Sequence, residues 1–243
     1  MGSTLEGRRV AVTGAAGGIG HAIVTRLLAE GAEPIGLDVT GLDRLPEGVP
    51  GLEADLTSAE SISAVVSALY ADDDRAVDLV NSAGIVEDDV PAEDMSVGQF
   101  DAVHGVNIRG VFITSQAFGR ELLARGGGSI VNIASMSGNA LVNWPQKQSA
   151  YNSSKAAVSA LSRSLAVEWG GRGVRVNTVS PGYVDTPLNH LKAHMHDRWK
   201  RDTVLGRFAT PEEVAGAVAF LLGPDAGYFA GAELLMDGGS SLR

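Results

Sequence analysis

Hydrophobic positions along the chain fall into two alternating patterns. Short apolar runs, "RRVAVT" (8–13), "EPIGLD" (33–38), "GLEAD" (51–55), "AVDLVNSAG" (76–84), "GSIVNIAS" (128–135), "VRVNTVSPG" (174–182) and "AELLMDGG" (232–239), read as strands. Between them lie stretches with apolar residues at helical spacing: 18–32, 58–71, 97–125, 149–170 and 211–223. Gly31 closes the first, Ser58 is positioned to cap the second, and Pro211 and Gly223 bracket the last. Near-continuous apolar strands are expected where both sheet faces are covered. Seven strand-like runs interleaved with five helical stretches predict an α/β fold, a doubly wound seven-stranded parallel sheet with helices on both faces. No linker or shift in composition divides the chain, so residues 1–243 read as a single domain. The long strandless stretch at 183–210 reads as a substrate loop.

Composition narrows the function. The net charge is −10, which supplies no basic footprint for nucleic acid or an anionic membrane. There is no cysteine, hence no disulfide and no thiolate metal site. The N-terminal residues lack the order of a signal peptide, and Met1–Glu6 do not meet a lipidation pattern. No apolar run approaches the length of a membrane span. A cytoplasmic protein acting on a small molecule is the expectation. "HLKAH" (190–194) has histidines at a spacing that can bind zinc, with His196 nearby, but Leu191 stands where the glutamate of a zinc-protease motif would be. No metal is expected. "DDD" (72–74) reads as a solvated turn.

The first strand runs into "TGAAGGIG" (13–20). Gly14, Gly18 and Gly20 follow a strand and open a helix, where glycines let the backbone approach a pyrophosphate at the helix's positive end. The spacing is Gly-x-x-x-Gly-x-Gly rather than the usual dinucleotide fingerprint. Asp38 ends the second strand 24 residues after Gly14, positioned for the adenosine ribose hydroxyls and repelling a 2′-phosphate. Val39 follows, not arginine, so NAD is expected over NADP.

"NSAG" (81–84), "NIRG" (107–110), "IASMSG" (133–138), "YNSSK" (151–155) and "SPGYVDT" (180–186) then appear in order. With the glycine loop, this set resembles the short-chain dehydrogenase/reductase family of compact, single-domain Rossmann enzymes, over nearly the whole chain. The resemblance implies that Tyr151 is the general acid/base, its phenol pKa lowered by Lys155, which also bonds the nicotinamide ribose. The small residues Ser153, Ser154, Ala156 and Ala157 would let cofactor and a neighbouring helix come close. Ser135 is chosen to hydrogen-bond the substrate oxygen, with Ser137 the alternative, because Ser135 ends the strand three residues before Gly138. Asn107 would hold a water linked to Lys155.

The resemblance further assigns Gly14, Gly18, Ile19, Gly20, Asp38, Asp55, Leu56, Asn81, Ala83, Gly84, Tyr151, Lys155, Pro181, Gly182, Val184 and Thr186 to the cofactor. It implies a homotetramer built through 97–125, 149–170 and the C-terminal edge 228–243. "SMSGNALVNWPQKQSAY" (135–151) is similar to the polyol and sugar-alcohol dehydrogenases of the family, which makes Ser137, Asn143 and Gln148 substrate contacts. Trp144 is expected to narrow or re-aim the pocket. An aryl ketone, cyclic diol or steroid is the alternative substrate; a dinucleotide sensor without chemistry is the alternative class.

Overall fold

Seven parallel strands form one sheet in the order β3-β2-β1-β4-β5-β6-β7: β1 Arg9–Thr13, β2 Glu33–Asp38, β3 Gly51–Glu53, β4 Val77–Asn81, β5 Gly128–Ile133, β6 Val174–Pro181 and β7 Glu233–Met236. The helices are α1 Gly18–Ala29, α2 Ala59–Leu69, α3 Val97–His104, α4 Val111–Ala124, α5 Met136–Asn139, α6 Ser149–Trp169, α7 Pro187–His190, α8 His196–Asp202 and α9 Pro211–Leu222. This computed structural model describes residues 5–190 and 192–243. Met1–Thr4, read above for a lipidation signal, and Leu191 lie outside them.

Successive strand residues point to opposite faces, and each face has its own core. Val10, Val12, Val80, Val131 and Val179 pack with Ile23, Val24 and Leu27 of α1 and Val214, Val218 and Leu221 of α9. Ala11, Leu79, Ile130 and Val176 pack on the other face with Ile62 and Val65 of α2, Phe118 and Leu122 of α4, and Leu165 of α6. Burying each large apolar side chain contributes roughly 1.5–3 kcal/mol, so a strand with two covered faces has little use for alternating polarity. Local signals agree with this packing. Ser58 accepts the Ser61 N–H at the start of α2. Thr210 and Glu213 form a reciprocal cap ahead of Pro211.

The long helix expected over 97–125 is interrupted. A π-helical turn, Gly105–Gly110, separates α3 from α4 and carries Asn107 inward to complete burial. The 183–210 stretch is not a bare loop. It holds α7 and α8, and Trp199 of α8, 1% exposed, stacks on Tyr183 with ring centroids 4.6 Å apart. Burial pushes the Tyr183 phenol up to about 12. No helix among the described residues is long and apolar enough to cross a membrane.

Chain order reverses between β1 and β4, which are neighbours in the sheet. Crossovers from these strands leave in opposite directions, so a cleft opens at their carboxyl ends.

Candidate active site

Thr13 ends β1 and joins the two sides of that cleft: its Oγ1 accepts the N–H groups of Ser82, at 3.1 Å, and Ala83, at 3.2 Å. Above it lies a cleft of about 680 Å³, floored by Gly14, Gly18 and Gly20. The floor has no room for side chains. A Cβ on Gly14 would stand 2.8 Å from Ala83 Cα, and one on Gly20 would stand 2.1 Å from Gly14 O. Gly14 also has φ +66°, a left-handed conformation open to glycine. Such a cradle at the start of α1 fits a dinucleotide pyrophosphate.

Asp38 sits at one end of the cleft. Its Oδ2 accepts Ala16 N–H at 3.0 Å and its Oδ1 accepts Val39 N–H at 2.8 Å, which pins the glycine loop to β2 while leaving carboxylate lone pairs for hydroxyl donors. Arg44 also lines this end, a cation unmarked by any motif. Asp55, Leu56, Ala83 and Gly84 line the cleft as expected. Asp55 is held below the usual carboxylate range by hydrogen bonds from the Thr57 hydroxyl and N–H.

Asn81 does not line the cleft. It is 1% exposed, and its amide is spent on Ser115, Asn132 and Thr114. Its side chain braces β4 against β5 and α4, since a residue in register with Thr13 still lies within the sheet, which leaves its main chain for the cofactor-proximal role expected of it.

A second cavity of about 140 Å³ continues from the cleft; Ile19, Ser82, Gly84, Thr186 and Leu188 line both. Ser135, Ser137, Tyr151 and Lys155 meet here, with Pro181, Gly182 and Val184 in the wall. Ser135 leaves β5 in extended conformation and caps α5, its Oγ accepting Ser137 N–H. The same hydroxyl is the one that acts on the Tyr151 phenol, as a hydrogen-bond partner that lowers its pKa. Tyr151 and Lys155 leave α6 one turn apart, the Lys155 ammonium 5.8 Å from the centre of the Tyr151 ring.

Charge in this pair differs from expectation. Burial pushes the Tyr151 phenol up; the Ser135 hydrogen bond pulls it partly back and the charge of Glu87 adds to the rise. Burial also brings Lys155 down to about 8, with Nζ donating to Ile133 O at 2.8 Å. Each of the two groups is desolvated, which disfavours the charged form of both.

Asn107 lies beneath. Its Nδ2 donates to Ile85 O and Ser154 Oγ, and its Oδ1 accepts Ile85 N–H. Both amide protons are used, so a water could be held only by a carbonyl oxygen. Lys155 Nζ and Asn107 Oδ1 both crowd Gly84, at 3.2 and 3.4 Å from where its Cβ would be. The small face of α6 does admit a neighbour: a Cβ on Gly138 of α5 would lie 2.7 Å from Ala156 N.

Of the residues expected at the substrate, Ser137, Asn143 and Gln148 all line the cavity, but Asn143 Nδ2 donates to Gln148 Oε1 at 2.7 Å and Asn143 Oδ1 accepts from Asn152. Asn143 is thereby committed to its loop. Trp144 is 72% exposed and absent from the lining, so it does not narrow the pocket. His190 pairs with Asp185, and His196 with Asn189 O. In the acidic turn, Asp73 and Asp74 pair with Arg75 and Arg125.

No motif in the sequence marks Glu87. It is 4% exposed, and both its oxygens accept main-chain N–H groups from the first turn of α6. Its neighbours "EDDVPAED" disguise it as one more surface acid.

A strand-end cleft floored by glycine and a cavity lined by Ser, Tyr and Lys define a dinucleotide-dependent oxidoreductase site. The family profile described as Enoyl-(Acyl carrier protein) reductase matches residues 14–241, and the chain belongs to the short-chain dehydrogenase/reductase family. It is 42% identical to galactitol 2-dehydrogenase (L-tagatose-forming) of Cereibacter sphaeroides, over 97% of this chain and 95% of that protein. It is 38% identical to D-threitol dehydrogenase of Mycolicibacterium smegmatis, over 98% and 95%. A crystal structure of a short-chain type dehydrogenase/reductase from Mycobacterium marinum superposes with a TM-score of 0.93 at 32% identity, covering 98% of this chain and 97% of that one.

Proposed function

We propose that this enzyme transfers hydride between a secondary alcohol or ketone and NAD, with a polyol, sugar alcohol or ketose as the favoured substrate. The observation that carries the reading is that Ser135, Tyr151 and Lys155 share one cavity continuous with the glycine-floored cleft. The dinucleotide, when bound, supplies hydride exchange at the carbinol carbon; the chain handles the oxygen and its proton. In oxidation Tyr151 accepts the hydroxyl proton, and in reduction it returns it. Ser135, already hydrogen-bonded to the phenol, donates to the substrate oxygen as charge develops there. Lys155 contributes an ammonium beside the ring, and Asn107 a carbonyl for a water leading away from that lysine.

Gly14, Gly18 and Gly20 would hold the pyrophosphate, Asp38 the adenosine ribose, and Val184 and Thr186 the carboxamide. Asp38 supports NAD, since a carboxylate repels a 2′-phosphate; Arg44 at the same end is the group a phosphate would use. The polyol reading is supported by the two sugar-alcohol relatives and by the amide-rich cavity wall. Exposed apolar side chains on the helices expected in subunit contacts support a homotetramer: Val97, Phe100, Phe112 and Val167, with Tyr228 and Leu242 near the C-terminus.

The test is NADH or NADPH formation at 340 nm over polyols, cyclic diols and simple secondary alcohols. Turnover of a polyol with NAD is the expected result. Turnover confined to other alcohols overturns the substrate, a preference for NADP overturns the cofactor, and NAD binding without any turnover overturns the enzyme in favour of a sensor.

A further inference from the structure

Two polar atoms in the catalytic cavity are buried without a hydrogen-bond partner: Lys192 Nζ and Gln146 Oε1. They come from different segments. Gln146 sits in the loop between α5 and α6, and Lys192 follows α7. Their main chains are anchored, Gln146 N–H to Asn143 O at 3.0 Å and Lys192 N–H to Asn189 O at 3.0 Å. Asn189 in turn donates from Nδ2 to Val184 O at 2.7 Å, so Lys192 is tied to the cavity wall through its own neighbour.

Leaving an ammonium buried and unpaired is costly, and a lone amide carbonyl less so. Lys192 Nζ meets no carbonyl, amide or hydroxyl acceptor such as the Ile133 O that serves Lys155, so among the lining residues only an acid could relieve it. None does: Lys155 and Lys192 are the charged residues of the lining, and no aspartate or glutamate is among them. This holds in a chain whose net charge is −10. A cavity so opposed to the charge of the whole molecule is built for an anion. Lys155 is already accounted for by Ile133 O and Tyr151. Lys192 does not line the larger cleft, so it is placed for the substrate rather than the adenosine end of the cofactor.

We propose that the substrate is an anionic polyhydroxylated alcohol, whose carboxylate or phosphate at the far end of the chain pairs with Lys192 while an intervening hydroxyl donates to Gln146 Oε1. This rests on the secondary-alcohol reading given above and replaces a neutral polyol with a charged one. An ammonium–anion hydrogen bond is formed equally in ground and transition states, so Lys192 acts on KM rather than kcat.

The experiment measures NADH formation by the full-length protein with galactitol, galactonate and galactitol 1-phosphate, for wild type, Lys192→Met and Gln146→Leu. Wild type is expected to use one of the two anions with a kcat/KM at least about tenfold above galactitol; which anion does so tells carboxylate from phosphate. Lys192→Met should raise KM for that anion by about tenfold or more, with kcat within about threefold, and so lower the anion-to-galactitol ratio of kcat/KM by about tenfold. Gln146→Leu should raise KM more modestly. The proposal is overturned if galactitol is preferred by wild type, or if Lys192→Met leaves the ratio of anionic to neutral turnover unchanged. Galactitol turnover with that result leaves the secondary-alcohol reading standing; no turnover of any of the three, while another secondary alcohol works, removes this proposal and the polyol preference together but keeps the secondary-alcohol chemistry. A Lys192→Met protein that fails to fold is replaced by Lys192→Gln, read by the same ratio.

Discussion

Glu87 holds Tyr151 by its main chain. Its Oε1 accepts Ala150 N–H at 2.9 Å and its Oε2 accepts Tyr151 N–H at 3.0 Å, so a single buried carboxylate closes the open end of α6, the helix that carries both Tyr151 and Lys155. Negative charge at a helix N-terminus is favourable, and two charge-assisted hydrogen bonds fix its geometry.

Replacing Glu87 by Gln removes the charge and turns an N–H toward one of those donors. The expected loss is about 1–2 kcal/mol of stability in urea unfolding. The same substitution removes one influence that raises the Tyr151 phenol. The alkaline-rising limb of kcat/KM for alcohol oxidation should therefore move to lower pH. An unchanged or upward-shifted limb would show that Glu87 is a structural cap without electrostatic reach to the phenol.

The two serines should separate cleanly. Ser135→Ala removes the hydroxyl bonded to Tyr151, and kcat should fall about 10²-fold. Ser137→Ala leaves that bond in place and should keep kcat within about threefold. Steady-state kinetics on the two variants decides it; equal losses would mean both hydroxyls reach the reacting oxygen.

Cofactor choice depends on one carboxylate beside one guanidinium. Asp38→Ser should lower the NAD-to-NADP ratio of kcat/KM by about tenfold or more, because Arg44 lines the same end of the cleft. Adding Arg44→Ala should cancel the gain in NADP use. If Asp38→Ser weakens both cofactors alike, Asp38 serves chiefly to hold the Ala16 N–H and the loop.

Lys155 makes stability depend on pH in a defined window. Its pKa is about 8 in the folded protein, against a model-peptide value of 10.5. Between these values the unfolded chain binds a proton that the native chain does not, so stability rises with pH there. Below about pH 8 both states are protonated and the cost of the buried charge is constant. The stability difference between wild type and Lys155→Met should thus move in favour of wild type from pH 8 to 10. Parallel urea midpoints for the two proteins across that range would contradict it.

The sheet was legible because its strands are apolar on both faces, and periodicity reports burial directly. Strand ends then place Thr13 and Asp38, while Ser135, two residues beyond β5, needed the family pattern to be chosen over Ser137. Other features depend on spatial neighbours that linear spacing cannot reveal. Glu87 and Lys192 look like surface charges until the fold closes over them. Asn81 carries a family motif, yet its amide is used up inside the sheet. The fall of Lys155 to about 8 and the rise of Tyr151 come from depth of burial, which the Tyr-x-x-x-Lys spacing does not encode.

The π-helical turn at Gly105–Gly110 also sets the phase of everything after it. Phe100 and Phe112 are 12 positions apart, and at about 100° per residue an unbroken α-helix would turn them about 120° away from each other. A π-turn absorbs one residue, which leaves an effective separation of about 20°. Both rings are exposed, at 39% and 43%. The extra residue that draws Asn107 inward therefore aligns an apolar stripe along the outside. Removing it would disconnect the interior of the site and misalign the outer face in a single deletion.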